Sequence, residues 1–211
     1  MPVSDFTYFL IAAVTIFAVV DPIGTLPFFA AFTIGYAPAD RRVVLHRTVL
    51  FFTSILVAFA LVGKFLFAAF GFTLSAFEIA GGILLFIVAY DMLRGEIGPT
   101  KLTATDRDEA IQRRDEISVF PLAIPLLAGP GAISTVMIYA GSPSAGPLGV
   151  LAAVTGAVFT GAATFIIFRF GQKILDVLGR VGVMALTRVL GLLLAAVAVQ
   201  FVITGILGVG F

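Results

Sequence analysis

The chain has no cysteine, one histidine and little charge, and each shortage removes a class of function. Without cysteine there is neither a disulfide nor thiol chemistry, and the redox compartment cannot be read from the sequence. His46 is the sole histidine, so neither an HExxH zinc site nor a Ser-His dyad can be assembled within a membrane. Charged residues are 12% of the 211 positions, against about 25% in soluble domains. A formal net charge of +1 gives no reason to propose a nucleic-acid partner. The N-terminus also lacks a basic n-region and an A-x-A-like cleavage pattern. Its apolar run is too long for a secretory signal and reads as a retained first span.

What fills the space is apolar sequence. Sixty per cent of the residues are apolar and the mean hydropathy is +1.14, more than a soluble fold of this length can hide. Spanning a bilayer takes about 20 apolar residues in helix. Six stretches qualify: Phe6–Ile34, Val43–Phe70, Leu74–Leu93, Ile117–Ala140, Leu148–Phe170 and Met184–Leu207. Gly35 with Pro38, Gly141 with Pro143, and Gly146-Pro147 disfavour helix between them. The expected fold is an all-α polytopic membrane protein, a single membrane domain over 1–211 with six transmembrane helices. The 22 phenylalanines read as lipid-facing or core bulk.

Only the connector 94–116 is long and polar. Basic residues concentrate there (Arg94, Lys101, Arg107, Arg113, Arg114), around the first connector (Arg41, Arg42, Arg47) and around the fifth (Arg169, Lys173, Arg180, Arg188). Of 13 basic residues, Lys64 alone falls on the other side. Lys and Arg are retained in the cytoplasm, so both termini are expected outside it, in a multi-pass protein of the cell (inner) membrane.

The chain is also written twice. A shift of 108 sets Asp21-Pro22 on Gly129-Pro130, Phe51 on Phe159, Gly63 on Gly171 and Gly71 on Gly179. A shift of 109 sets Gly82 on Gly191, Leu85 on Leu194 and Ala89 on Ala198. Repeat one (6–93) and repeat two (117–207) each hold three spans, so the second copy must enter the membrane from the opposite side. Inverted repeats of this kind build secondary transporters, with the substrate near the midplane where the repeats meet.

Within the first span the apolar run meets Asp21, Pro22, Gly24, Thr25 and Pro27. Asp followed by Pro is the grammar of a helix start, and Pro disrupts a helix interior. The fourth span repeats the device with Pro125, then Gly129, Pro130 and Gly131, followed by Ser134 and Thr135. Both spans are therefore expected to be broken near the midplane. Two half-helix N-termini would then converge, each favouring an anionic group such as a carboxylate. The residues from Asp21 to Thr25 and from Gly129 to Thr135 form the candidate substrate site. A carboxylate at that depth is a functional hypothesis by default, with a bare helix cap as the alternative role for Asp21.

Other polar positions are accessory. Glu78 and Asp91 lie at opposite ends of the third span, where snorkelling or pairing accounts for them, and Gln200 lies deep enough in the sixth span to need a partner. Lys64 is expected to snorkel to the outer interface. Asp21 with Asp91 lacks the GxGD context of an intramembrane aspartyl protease, so no enzyme is expected, and no metal or cofactor.

The motifs Asp21 to Phe29, Phe120 to Pro130, Ala80 to Phe86 and Arg188 to Leu194 resemble the MarC family (UPF0056) of six-span integral membrane proteins over nearly the whole chain. Thr25 stands where many members have Asn. The resemblance implies transport of small neutral amino acids, glycine and alanine among archaeal members. A zwitterion suits the site, with its carboxylate on the half-helix N-termini and its ammonium near Asp21. A proton is the simpler coupling ion for a lone acid, with sodium the alternative because unwound carbonyls can coordinate it. An exporter of other small metabolites and a non-transporting membrane scaffold are the competing readings. A homo-oligomer is compatible with the sequence.

Overall fold

The computed structural model describes residues 5–33, 36–71, 73–95, 115–142 and 146–209; for residue 5, residues 172–184 and residue 186 it describes the backbone alone. Most of the polar connector, including Lys101, Arg107, Arg113 and Arg114, lies outside the described residues, as do Gly35 and Pro143. The described residues are helical and contain no strand.

Helix α1 (Asp5–Val20) is followed after one residue by α2 (Pro22–Phe32). Helices α3 (Pro38–Phe70) and α4 (Leu74–Arg94) complete the first half. A wound segment, Ser118–Leu127, then leads to α5 (Pro130–Ala140) and to the long α6 (Pro147–Gly208). Five stretches are long and apolar enough to cross a membrane: Phe6–Phe32, Pro38–Phe70, Leu74–Arg94, Pro147–Gly171 and Thr187–Gly208. A sixth is available if Asp115–Leu127 and Pro130–Ala140, bent by 62° to each other, count as one pass.

Local chemistry explains most of the boundaries. Pro38 starts α3 at a position that needs no N–H. Gly71 ends it at φ 67°, a left-handed conformation that glycine adopts without steric cost. Thr73 then caps α4, its Oγ1 accepting from the Ala76 N–H at 3.2 Å, and Gly95 closes α4 at φ 72°. The sequence expected α3 to begin near Val43; it starts at Pro38, so Arg41 and Arg42 sit on its first turns. A helix of 33 residues runs about 50 Å, longer than a hydrocarbon core of about 30 Å, and its polar N-terminal end extends past the apolar layer.

The packing fixes the direction of every pass. At one end of the bundle Tyr8 Oη donates to the Tyr139 carbonyl (3.1 Å), and Lys64 Nζ donates to the Gly141 carbonyl (3.3 Å). At the other end Arg47 pairs with Asp115, and Arg41 Nε donates to the Thr33 carbonyl (3.3 Å). Between these ends glycines let helices touch. Gly156 and Gly171 meet Ile16 and Leu26, so the Pro147–Gly171 pass runs parallel to α1 and α2. Gly191 meets Ala89 and Met92, whereas Gly205 meets Ser75 and Ile79, so Thr187–Gly208 runs antiparallel to α4. The two spans within Pro147–Gly208 therefore point in opposite directions, so α6 is one element by its winding but not one straight rod.

Several contacts are reciprocal. A Cβ added to Gly82 would lie 2.6 Å from the Ala198 carbonyl oxygen, and one added to Gly191 would lie 3.1 Å from the Ala89 carbonyl oxygen. Gly161 lies against Thr53, the residue 108 positions before it. Leu85 and Leu194 are both buried, in a core shared with Phe29, Phe52 and Phe168. Outside, Phe6, Phe65 and Leu207 are each more than 70% exposed, as an apolar solvent permits.

Candidate functional site

Helix α1 ends on Asp21, whose N–H bonds the Phe17 carbonyl at 3.0 Å. Asp21 then adopts φ 47°, ψ 65°, the only positive φ outside glycine among the described residues. This turn lets its side chain fold back over the helix it starts. Oδ1 accepts from the Gly24 N–H at 3.0 Å, and Thr25 Oγ1 donates to the Asp21 carbonyl at 2.8 Å. The other carboxylate oxygen occupies the place a Cβ on Gly24 would take, so the glycine makes room for the cap. Asp21 and Gly24 are exposed, whereas Pro22 and Thr25 are buried. Pro27, read from the sequence with Pro22 as helix-disrupting, is accommodated inside α2; the interruption is confined to Asp21.

The second interruption is longer. The sequence points to Pro125 and Gly129; the backbone already leaves helical geometry at Phe120 (φ −127°, ψ 124°) and again at Ile124 (φ −130°, ψ 129°). Both residues precede a proline, which disfavours the helical region for them. The peptide bonds Phe120-Pro121 and Ile124-Pro125 are cis. Gly129, extended at φ −75°, ψ 171°, is the N-cap of α5 and has no side chain with which to cap it. Pro130 at the first position has no N–H to satisfy, which leaves the Gly131 and Ala132 N–H groups at an end without a side-chain cap. Ser134 Oγ donates to the Pro130 carbonyl (2.6 Å) and Thr135 Oγ1 to the Gly131 carbonyl (2.8 Å). Neither hydroxyl donates out of its own helix.

The two interruptions are neighbours. A Cβ on Gly131 would lie 3.4 Å from Val19 Cγ1, two residues before Asp21. The third and sixth spans close the other sides: Pro130 packs against Gly81, whose added Cβ would lie 3.2 Å from the ring, and Phe201 lies beside Gly129. Sequence reading missed Val19 and Phe201, which carry no polar signal. Spans that must approach each other are signalled only by the glycines opposite these residues.

No hydrogen bond joins the accessory residues to this junction among the described residues. Gln200 is exposed and donates to Thr204 Oγ1 one turn on, at 3.3 Å. Glu78 and Asp91 are half-buried near the two ends of α4. His46 is exposed; its Nδ1 donates to the Arg42 carbonyl (2.6 Å) and its ring meets Phe165 edge-on. No group of three or more His, Cys, Asp or Glu gathers to hold a metal ion among the described residues.

Comparison with known proteins covers nearly the whole chain. The pattern of the MarC family integral membrane proteins matches residues 6–209. A UPF0056 membrane protein of Pyrococcus abyssi is 40% identical over 200 residues, covering 95% of this chain and 94% of its own. A UPF0056 membrane protein of Bacillus subtilis is 34% identical over 206 residues, covering 96% of each chain. One from Escherichia coli is 32% identical over 211 residues, covering 97% of this chain and 94% of its own. No solved structure matches the chain.

Proposed function

This chain belongs to the MarC family of integral membrane proteins, and on that premise we propose that it is a secondary transporter of small neutral amino acids of the glycine and alanine class. The observation that carries the reading is the junction of the two interruptions. One presents a carboxylate at Asp21; beside it, the other presents backbone N–H groups at an α5 N-terminus without a side-chain cap. A zwitterion complements that pair, its ammonium on Asp21 and its carboxylate on the Gly131 and Ala132 N–H groups. Glycine at 129 and 131 keeps side chains out of the space between, which suits a small substrate.

The reciprocal contacts support two inverted three-helix repeats. If residues i and i+109 are related by a two-fold axis, Gly82 against Ala198 requires Gly191 against Ala89, and both contacts occur. Equivalent interruptions in the two repeats then meet near the midplane, where irregular backbone is tolerated if it lines a cavity. Transport proceeds by alternating access, coupled to a proton through Asp21 or to sodium through unwound carbonyls. The basic residues put the Arg47 end of the bundle in the cytoplasm and both termini outside.

Counterflow in proteoliposomes tests the reading. Glycine and alanine should exchange against themselves, while a panel of other small metabolites should not. Exchange of other metabolites alone would make it a different exporter, and no exchange of any solute would leave a scaffold. A reporter active only outside the cytoplasm, fused after Phe211, should be active.

A further inference from the structure

At the end of the bundle opposite Arg47, a cavity of about 350 Å³ opens between α3, α4 and α5, lined by Lys64, Phe67, Leu74, Met137, Ile138 and neighbouring residues. Its walls are apolar but for Lys64 and Ser134, and the Ser134 hydroxyl is spent on the Pro130 carbonyl. The Lys64 ammonium lies across Gly141, where any side chain would collide with it, and uses one of its three donors on the Gly141 carbonyl. It forms no ion pair among the described residues. The mouth faces outward, since Ile138 of its lining is 70% exposed. A small zwitterion would find almost no polar partner here, and a fully apolar molecule would leave the cation unanswered.

We propose that this cavity is a binding site for an anionic phospholipid, one acyl chain lying against Phe67, Leu74, Met137 and Ile138 and the phosphate on the Lys64 ammonium. Lys64 is the single basic residue that the sequence assigns to this side, so the headgroup has one cation to find. On the orientation the basic residues imply, the lipid belongs to the outer leaflet.

The chain has no tryptophan, which makes a sole-tryptophan experiment direct. The full chain carrying Ile138→Trp is reconstituted in phosphatidylcholine, and quenching is compared between brominated phosphatidylglycerol and brominated phosphatidylcholine at equal mole fraction. The anionic lipid should be preferred about five-fold, the scale of one basic side chain at a membrane surface. Lys64→Arg should keep the preference and Lys64→Met abolish it. Leu207→Trp, exposed on the sixth span near the same end, should show none. Equal quenching by the two lipids overturns the site, as does a preference that survives Lys64→Met or appears equally at Leu207→Trp. Displacement of the phosphatidylglycerol signal by trace fatty acid would also overturn it, making a free carboxylate amphiphile the occupant.

Discussion

At Asp21 the chain supplies its own anion to the helix it begins; at Gly129, the equivalent position 108 residues on, it supplies none. The difference extends to the neighbours. Gly24 lacks a side chain because the Asp21 carboxylate lies over it, while its counterpart Ala132 has no carboxylate to accommodate and keeps its methyl. The first interruption takes one residue and leaves Phe6–Phe32 a single span; the second follows ten residues of irregular winding and bends the chain by 62°. Sequence positions 108 apart thus begin one helix with a side-chain cap and one without.

The comparison breaks most sharply at Asp21. Asn in its place keeps a capping oxygen but removes the charge. On the proposed reading the variant loses the charge partner of the substrate ammonium, so transport should fall by about tenfold or more at unchanged membrane level. Normal uptake by that variant would reduce Asp21 to a cap and make the two interruptions functionally alike.

Gly129→Ala probes the open side. The added Cβ would lie 2.6 Å from the Pro125 carbonyl oxygen, which is backbone and cannot swing aside. Overpacking of this sort costs about 1–3 kcal/mol, read as a lower unfolding temperature of the purified protein. An unchanged temperature would mean the turn before α5 is more yielding than its contacts indicate.

Gly131→Ala should fold normally, since its new methyl meets only Val19 at an ordinary 3.4 Å. It narrows the junction by one methyl, for which the expected discrimination is about tenfold, to the disadvantage of alanine over glycine. If the ratio of the two uptakes does not move, the substrate lies elsewhere.

The smallest effect is at Gly24. An alanine there evicts the carboxylate from its cap and should cost about 1 kcal/mol. The same change in an Asp21→Gly background should cost almost nothing, a coupling that a double-mutant cycle measures directly. Equal costs in both backgrounds would separate Gly24 from the cap.

The all-helical character and the five or six stretches apolar enough to cross were legible because hydropathy acts locally. Phe6 to Phe32 is apolar enough to cross, and no reading of Asp21-Pro22 continues a helix without cost. Proline alone misled in both directions. Pro27 sits within α2, while the irregular backbone before α5 begins at Phe120, earlier than Pro125 suggests. Asp21 as a cap was readable from Asp before Pro; the geometry by which its carboxylate folds back over Gly24 was not. That depends on the left-handed turn at Asp21, a backbone torsion no composition reports. Val19 beside Gly131 was equally hidden, since a valine facing another helix looks like one facing lipid. Gln200 is exposed and donates to Thr204 on its own helix.

Thr53 touches Gly161, its own counterpart in the other half of the chain. On the inverted-repeat reading, a point that contacts its own image lies on the axis, and the axis stays put when the two halves exchange roles. The crossing is then a fulcrum. Spectroscopic labels at 53 and 161 should report one constant separation through the transport cycle. A pair placed at 64 and 141, far from the axis, should report two.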